Sequence, residues 1–329
     1  MVSQAGYTSR VQTCPTVSVI LPVWNGERFL AEAVESVLAQ TFEAIELLIV
    51  DDGSTDATPE IADAFAQRDR RVQVIRLEHC GIADALNAGI AEAQGRYVAR
   101  MDADDISHPS RLAIQIAYLD ANSDCVAVGS AVEVIDESGD FVGTRTFPRG
   151  HAEITHKMIH GLANALAHPT VVTRTDALRS VGGYRHDRVP SEDLDLWIRL
   201  SRIGTLANMS DRLLRYRRHR DTVSVRERDG QWKIGNEIIN EARRRQGLRP
   251  LAVRPLSAAR SRVASYHFEC ARTALLTGPR AAAFKHARAS IASEPFWPEP
   301  YMALAACLFP KWSLRLLRGV ATAVQSLQL

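Results

Sequence analysis

Three carboxylates crowd a four-residue stretch of this 329-residue chain. Asp102, Asp104 and Asp105 directly follow residues 97–101, a short and mostly apolar run that predicts a strand. Carboxylates this close together repel one another and resist burial unless a cation compensates them. Asp-x-Asp spacing suits a hard divalent ion such as Mg²⁺ or Mn²⁺, which takes oxygen ligands and keeps a substrate phosphate in its shell. The competing interpretation of these residues alone is an acidic turn after a strand.

A second acidic segment, residues 51–54 with the sequence Asp-Asp-Gly-Ser, follows the apolar run 45–50. A carboxylate after a strand, here Asp52, can accept hydrogen bonds from a nucleobase or a ribose hydroxyl. The same residue types form ordinary turns, and the segment alone leaves both interpretations open. Gly-x-Gly-x-x-Gly after the first predicted strand and Gly-x-x-x-x-Gly-Lys-Ser/Thr are both missing from the sequence. A dinucleotide-binding Rossmann domain and a P-loop NTPase therefore lose their main support.

A third acidic pair, Glu192 and Asp193, begins a predicted helix over residues 191–201. A carboxylate here can act as a general base, taking the proton of a hydroxyl group as its oxygen attacks. In the competing interpretation Ser191 caps the helix, and the two acids favour the helix dipole in its first turn.

The elements that must position these acids alternate along the chain. Predicted strands cover residues 17–22, 45–50, 72–77, 97–101 and 125–135, and predicted helices cover 27–40, 58–67, 82–93 and 111–122. This alternation is typical of a mostly parallel sheet covered by helices on both faces. Ligands of such sheets bind outside the carboxyl ends of the strands, where residues 22–25, 51–54 and 102–105 fall.

After residue 150 the alternation weakens. Residues 168–172 predict a short strand entered from a turn, and residues 213–218 predict an edge strand. From about residue 229 onward the pattern predicts helices only.

Five segments, in this order and spacing, resemble glycosyltransferase family 2. They are VSVILPVWNG at 17–26, SVLAQTF at 36–42, VDDGSTD at 50–56, GIADALNAG at 81–89 and ARMDADD at 99–105. The resemblance extends from about residue 15 to residue 219. It implies a GT-A fold, which is an α/β, Rossmann-like architecture with flanking helices, and here a C-terminal helical region would follow. It also implies a nucleotide-sugar donor, usually a divalent metal, and inversion at the anomeric carbon.

The resemblance implies a role for each matching residue on the donor side. Pro22, Val23, Trp24 and Asn25 would line the nucleoside pocket. Asp52 would contact the base, Asn87 would lie beside the donor pocket, and Asp102 would lie near the ribose.

On the metal and catalytic side, the resemblance implies that Asp104 binds Mn²⁺ or Mg²⁺ directly, with Asp102 and Asp105 beside it. His219 would complete the metal shell or bind a phosphate oxygen, against the alternative of an exposed histidine in an arginine-rich loop. Asp193 would be the general base, with Glu192 as its support or substitute.

The predicted function is therefore transfer of a sugar, most simply from a UDP-sugar, to a hydroxyl of a glycan or lipid-linked acceptor in the synthesis of cell-surface polysaccharide. A nucleotidyltransferase is one alternative, but its first loop would be rich in glycine and basic residues, unlike Val-Trp-Asn-Gly at 23–26. A sugar-nucleotide-binding protein without catalysis is another, and the retained Asp104 and Asp193 argue against it.

Composition limits the location and the partners. The net charge is +2, and arginine crowds residues 212–262, where it can meet phosphates or anionic lipid or form a solvated face. Five scattered cysteines argue against a zinc site or disulfide framework and fit a reducing cytosol. The first fourteen residues lack a signal-peptide core, and no apolar run approaches the ~18 residues that span a bilayer. We expect a cytoplasmic protein with no nucleic-acid partner.

The predicted domains are a flexible N-terminus at 1–14, a catalytic domain at 15–228 and a helical extension at 229–329. Residues 311–327 predict an amphipathic helix bordered by basic residues. Such a helix can lie in a membrane interface, which would bring the protein to the inner face of the membrane, or it can cover the catalytic core.

Overall fold

The computed structural model describes residues 14–161, 165–222, 227–251 and 261–308. Its central feature is a nine-stranded sheet. The strands are β1 (Val17–Val23), β2 (Ile45–Asp51), β3 (Val72–Arg76), β4 (Tyr97–Arg100), β5 (Ile106–Ser107), β6 (Cys125–Ile135), β7 (Phe141–Arg145), β8 (Val172–Arg174) and β9 (Thr205–Arg217). They lie in the order β3-β2-β1-β4-β8-β6-β9-β5, and β7 pairs with β6.

Helices flank this sheet and then form the C-terminal region. They are α1 (Leu30–Leu38), α2 (Thr58–Arg68), α3 (Ile82–Glu92), α4 (Arg111–Ala121), α5 (His151–Ile159), α6 (Thr175–Ser180), α7 (Glu192–Leu200), α8 (Arg228–Arg245), α9 (Arg262–Thr277), α10 (Arg280–Ser293) and α11 (Pro298–Leu308). The predicted succession of strands and helices up to β6 is confirmed, with boundaries shifted by up to three residues, except that the two-residue β5 was not predicted.

Strand register explains why the acidic segments meet at one edge. β3, β2, β1 and β4 are parallel, and Val23 at the end of β1 lies beside Asp51 at the end of β2. The strand β4 ends earlier, because Arg100 pairs with Ile20, three positions before β1 ends. The chain after Arg100 therefore turns away inside a notch at the carboxyl edge of the sheet, where ligands of parallel sheets bind.

Beyond β4 the sheet becomes mixed. β8 is antiparallel to both β4 and β6, whereas β9 is parallel to β6. The predicted strand at 213–218 is confirmed as the last part of β9, but its edge position is wrong, because β9 begins at Thr205 and lies between β6 and β5. Its register shifts near Ser130 and Ala131, opposite the exposed residues 210–212, and these polar residues interrupt the apolar pattern. The predicted strand at 168–172 is a 3-10 turn over His168–Thr170 followed by β8.

Two apolar layers cover the sheet, because successive side chains of a strand point to opposite faces. Val19 and Leu21 of β1 belong to one layer with Leu30 of α1, while Ile20 belongs to the other with Leu86 of α3. This packing on both faces anchors the strands whose ends carry the acids.

The C-terminal helices dock on the β6–β7 hairpin. The backbone N–H of Glu137 donates to the Tyr266 hydroxyl at 3.2 Å, and Lys285 Nζ contacts an oxygen of Asp136 at 2.7 Å. The predicted C-terminal helical region is confirmed, while the domain boundaries stay a prediction. The predicted flexible residues 1–13 and amphipathic helix 311–327 lie outside the described residues. In the described part of the chain, no helix combines the length and apolar character that crossing a bilayer requires.

Candidate active site

The acidic trio, Asp102, Asp104 and Asp105, follows β4 in the notch of the sheet. One carboxylate oxygen from each lies within 4.8 Å of the others. Asp102 pairs with Arg100, the last residue of β4. Oδ2 of Asp104 lies 2.8 Å from Nε2 of His219, which β9 delivers from the far end of the sheet. The three acids therefore converge, as their spacing predicts.

Electrostatics make this trio a fitting place for a cation. Burial raises the pKa of Asp102 to about 6 in spite of Arg100, and Asp104 adds to the rise. Burial, Asp104 and Asp102 raise the pKa of Asp105 well above its usual value. Asp105 is 1% exposed, and its Oδ2 is buried without a hydrogen-bond partner. Crowded carboxylates with an orphaned buried oxygen fit the oxygen-rich donor set that Mn²⁺ and Mg²⁺ prefer.

The end of β9 closes the trio from one side. The backbone N–H of Arg217 donates to Oδ1 of Asp105 at 2.8 Å, and its Nε donates to the Asp104 carbonyl at 2.8 Å. The Phe29 ring lies under the Arg217 guanidinium and 5.4 Å from the His219 ring. Only 14% of the His219 side chain is exposed, so this histidine is not part of a solvated loop.

The predicted donor side begins where β1 ends. Pro22 and Val23 are buried within the strand, whereas Trp24 is 45% exposed. The Trp24 ring stacks on His79 with 4.6 Å between ring centroids. Asn25 has a φ of +51° and fixes the turn, since its Oδ1 accepts from the Thr55 N–H at 2.8 Å. Trp24 therefore offers an open aromatic surface beside a rigid turn.

Asp52 already has several partners. Its two oxygens accept from the N–H groups of Cys80 and Gly81 at 2.8 and 2.9 Å, and His79 Nδ1 lies 3.0 Å from Oδ2. Gly81 has a φ of +95°, a conformation that glycine adopts without strain. The carboxylate thus joins the loop after β3 to the end of β2.

The Asn87 side chain on α3 binds the backbone of Tyr184. Its Nδ2 donates to the Tyr184 carbonyl at 2.8 Å, and its Oδ1 accepts from the Tyr184 N–H at 2.8 Å. Both polar atoms of the amide are therefore used in holding Tyr184, so any effect of Asn87 on the donor pocket passes through that residue.

The predicted catalytic pair lies at the start of α7. Glu192 and Asp193 are each 8% exposed. Oε2 of Glu192 is buried without a hydrogen-bond partner, and Oδ1 of Asp193 accepts from the Leu194 N–H at 2.7 Å. Burial and Asp193 raise the pKa of Glu192 to about 7, with Asp102 adding to the rise and Arg100 acting against it. These mutual influences place Glu192 and Asp193 in the same electrostatic cluster as Asp102.

The Ser191 side chain does not cap α7, contrary to the competing interpretation of this segment. Its side chain makes no capping hydrogen bond, and its hydroxyl donates instead to the Gln231 carbonyl of α8 at 2.9 Å. The hydroxyl joins α7 to α8 and therefore does not accept a hydrogen bond from the backbone of α7.

Three buried side chains near Glu192 and Asp193 were not predicted as site residues. They are Arg100, His168 and Tyr184. Nε2 of His168 lies 2.7 Å from the Tyr184 hydroxyl. Burial and Arg100 hold the pKa of His168 well below its usual value, and burial raises that of Tyr184. The sequence does contain a signal for Arg100, because it is the charged residue in the mostly apolar run 97–101. No local pattern marks Tyr184. His168 was singled out only as a strand-entry turn.

One cavity lies apart from these residues. Its volume is about 690 Å³, and Ser36, Ser107, His108 and Glu133 line it together with β9 residues 210–215. None of the predicted site residues lines it. We place the chemistry at the carboxyl edge of the sheet, because the convergent acids are there.

Known proteins share this sequence pattern and fold. A family model described as glycosyl transferase family 2 matches residues 18–182. The O-antigen biosynthesis glycosyltransferase WbnJ of Escherichia coli is 34% identical over 209 residues, which cover 62% of this chain and 80% of that protein.

Two solved structures are similar at low sequence identity. Mannosyltransferase PcManGT from Pyrobaculum calidifontis, in complex with GDP-Man and Mn²⁺, has a TM-score of 0.58 at 18% identity, covering 96% of this chain and 85% of that one. S. aureus TarS 1-349 in complex with UDP-GlcNAc has a TM-score of 0.55 at 16% identity, covering 88% and 91%. These likenesses concern the fold and confirm the predicted GT-A architecture, while the family match confirms the enzyme class. The chain belongs to glycosyltransferase family 2.

Proposed function

We propose that this glycosyltransferase moves a sugar from a UDP-sugar to a hydroxyl of a glycan or lipid-linked acceptor, with inversion at the anomeric carbon. The observation that carries this proposal is the convergence of the acidic trio, one oxygen of each lying within 4.8 Å of the others, at a site that also contains the buried pair Glu192 and Asp193. Related proteins support it: WbnJ is an O-antigen biosynthesis glycosyltransferase, and the TarS complex contains UDP-GlcNAc. The pathway we infer is therefore the synthesis of cell-surface polysaccharide.

The donor nucleoside would lie against the exposed face of Trp24, near Asp52. The stacked pair Trp24 and His79 forms a surface suited to a flat base, because aromatic rings favour offset stacking. Asp52 lies beside this pair, since His79 Nδ1 is 3.0 Å from its Oδ2. A uracil N–H bound to Asp52 would share the carboxylate with His79 and with the N–H groups of Cys80 and Gly81.

The residues proposed to hold the divalent metal, Mn²⁺ or Mg²⁺, are Asp104, Asp102 and His219, with Asp105 behind them. The bound ion would neutralise charge on the nucleoside diphosphate that leaves. The PcManGT complex, which contains Mn²⁺, supports a metal of this kind. Arg217 would keep the trio in place through its bonds to Asp105 and to the Asp104 carbonyl.

The chemical step would use the start of α7. Asp193 would accept the proton of the acceptor hydroxyl while that oxygen forms its bond to C1 of the sugar. The bond from C1 to the diphosphate oxygen breaks on the opposite face, which inverts the configuration. Glu192, whose pKa is raised to about 7, would share a proton with Asp193 near neutral pH and support it as the base once that proton is lost.

We further propose that residues 229–329 form an extension that meets the acceptor or the cytoplasmic face of the membrane. Exposed apolar side chains on and near α11 support this location, with Phe296 98% exposed and Leu308 57% exposed. A surface of this kind can enter a lipid interface, where a lipid-linked acceptor would be presented.

UDP binding tests the donor and metal assignments together. Calorimetry with Mn²⁺ is expected to show UDP binding that disappears in EDTA and in Asp104→Ala. The matched control is Asp187→Ala, whose side chain is 70% exposed and lies outside the site. UDP binding that survives both EDTA and Asp104→Ala would overturn the metal site. Release of UDP from a UDP-sugar with acceptor is expected, and release of pyrophosphate would indicate a nucleotidyltransferase.

A further inference from the structure

Two exposed arginines, Arg28 and Arg220, share one glutamate beside the candidate active site. Arg28 pairs with Oε1 of Glu137, and Nη2 of Arg220 lies 3.5 Å from the same oxygen. Both arginine side chains are 56% exposed, whereas the Glu137 side chain is 17% exposed. A partly buried carboxylate therefore holds two solvent-facing cations side by side. We call Arg28 and Arg220 the arginine pair.

The three residues come from distant parts of the sequence but leave the same edge of the sheet. Arg28 follows β1, Glu137 follows β6 and Arg220 follows β9. β6 is parallel to β4, since β8 is antiparallel to both, and β9 is parallel to β6. The carboxyl ends of β1, β4, β6 and β9 thus point the same way. The arginine pair therefore lies at the edge where the acidic trio follows β4.

His219 joins the arginine pair to the acidic trio. Its Nε2 lies 2.8 Å from Oδ2 of Asp104, and Arg220 is the next residue of the chain. The Arg28 guanidinium lies over the Phe29 ring, 4.7 Å from its centroid, and the centroid of the same ring lies 5.4 Å from that of His219. Each arginine is therefore linked to His219, Arg220 through the peptide bond and Arg28 through one ring.

The turn that carries Glu137 is fixed by the C-terminal helices. The Glu137 N–H donates to the Tyr266 hydroxyl of α9 at 3.2 Å. The preceding residue, Asp136, contacts Lys285 of α10 at 2.7 Å and accepts from the Ser138 N–H at 3.0 Å. Because its turn is held on both sides, Glu137 keeps the arginine pair in a set position, which reduces the entropy lost when a ligand binds.

The arginine pair has more positive charge than Glu137 balances. Among the described residues, Glu137 is the carboxylate that pairs with either arginine. Each arginine uses one terminal nitrogen in this contact, whereas a guanidinium has five N–H donors. One unit of positive charge remains, and the side chains that carry it are more than half exposed. The pair can therefore take a second anion without releasing Glu137.

We propose that Arg28 and Arg220 bind the diphosphate of the donor, while Glu137 holds them side by side. A divalent ion at the acidic trio would keep phosphate oxygens in its shell, and His219 links that site to both arginines. Guanidinium groups donate paired hydrogen bonds to phosphate oxygens, so the pair would stabilise charge on the diphosphate as it leaves. The inference rests on the proposed function, since it assigns residues to the donor of that reaction.

Calorimetry tests the arginine pair with UDP in Mn²⁺ and with inorganic pyrophosphate in Mg²⁺. Both probes contain a diphosphate, so each is expected to bind about tenfold or more weakly to Arg28→Gln and to Arg220→Gln than to the wild type. The matched control is Arg212→Gln, because Arg212 is 54% exposed and lies 3.8 Å from Glu133 of β6. We expect this control to bind both probes as the wild type does. Equal UDP binding by the wild type and all three variants would overturn the proposal.

The two probes separate this inference from the proposed function. If UDP fails to bind the wild type while pyrophosphate binds more weakly to Arg28→Gln and Arg220→Gln, the UDP donor is contradicted and the arginine pair is supported. Weaker pyrophosphate binding with unchanged UDP binding would assign the pair to another phosphate, such as one on the acceptor, and would overturn the inference.

Mn²⁺ binding without nucleotide separates direct contact with the diphosphate from support of the metal site. We expect the wild type, Arg28→Gln and Arg220→Gln to bind Mn²⁺ equally, because both arginines lie outside the proposed metal ligands. Loss of Mn²⁺ and UDP binding together in the two variants would show that the arginine pair holds the metal site in place, and it would overturn the proposed contact.

Discussion

Asp104 and Asp105 are neighbours in the sequence with different surroundings. The Asp104 side chain is 28% exposed and faces His219, whereas Asp105 is buried and fixes the end of β9 through the Arg217 N–H. One carboxylate is therefore open to a ligand, and the other is part of the frame that holds it. Substitution of Asp104 should therefore affect metal binding, whereas substitution of Asp105 should affect the stability of the fold.

At Asp105, alanine and asparagine should differ in stability. Asp105→Asn keeps an oxygen that accepts from the Arg217 N–H, while Asp105→Ala leaves that buried donor without an acceptor. We expect Asp105→Ala to unfold with a free energy about 1–3 kcal/mol lower than Asp105→Asn in urea titrations. Asp104→Ala serves as the control, with a loss under about 1 kcal/mol because the pair with His219 is partly exposed. Equal stabilities of the two Asp105 variants would contradict this role.

The pH profile of sugar transfer should report the pair Glu192 and Asp193. Burial and Asp193 raise the pKa of Glu192 to about 7, so the pair shares a proton near neutral pH. We expect kcat/KM to fall as the pH drops below about 7, because the base must be unprotonated. Glu192→Gln removes one negative charge and should move the acid limb to lower pH by about one unit. An acid limb that stays in place would indicate that another group titrates.

At the scale of elements, the docking of α9 and α10 on β6 contains a pair of histidines, His267 and the buried His286. Nδ1 of His286 lies 2.9 Å from Nδ1 of His267, so one ring must donate and the other accept. Nε2 of His286 lies 3.3 Å from Asp136, and Lys285 contacts the same carboxylate. Burial and His267 lower the pKa of His286 to about 4. Protonation of both rings would break their contact.

This histidine pair should make the stability depend on pH. The folded protein binds fewer protons at His286 than the unfolded chain, whose histidines titrate near 6.5. The stability from neutral His286 is therefore complete above pH 6.5 and is lost as the pH falls toward 4, by up to about 3 kcal/mol. Urea titrations should show a flatter dependence in His286→Asn than in the wild type. His156→Asn, on the exposed face of α5, is the control, and parallel curves for all three would contradict the assignment.

The elements that sequence could predict are those with local signals. Apolar runs identified β1, β2, β3 and β4, and the acids after β4 stood out by their type and spacing. The extent of β9 was missed because its exposed residues 210–212 break the apolar pattern while β6 still pairs on either side. The contacts of Arg217 with Asp105 and of His168 with Tyr184 join distant segments, and their positions follow from strand register that no short window contains.

At the scale of the whole molecule, the earlier and the later strands of the sheet supply different residues of the proposed site. The parallel strands β1 to β4 supply the donor side and the acidic trio, as their matched carboxyl ends require. The mixed part of the sheet supplies Arg217 at the end of β9 and His219 just beyond it.

The exposed apolar side chains near the end of the described chain lead to a prediction about membranes. Phe296, Tyr301, Met302 and Leu308 are all at least 42% exposed, and the sequence beyond them predicts an amphipathic basic helix at 311–327. We expect the full chain to float with phosphatidylglycerol liposomes, and a chain ending at residue 310 to stay behind, because apolar burial and lipid charge act together.

Liposomes of phosphatidylcholine test the electrostatic part of this binding. They lack net charge, so flotation of the full chain should weaken with them and with phosphatidylglycerol at high salt. Both chains should bind UDP equally with Mn²⁺, which controls for folding of the shortened one. If the two chains float equally with anionic liposomes while binding UDP equally, the C-terminal segment does not carry the membrane contact, and a lipid-linked acceptor would have to be reached through another surface.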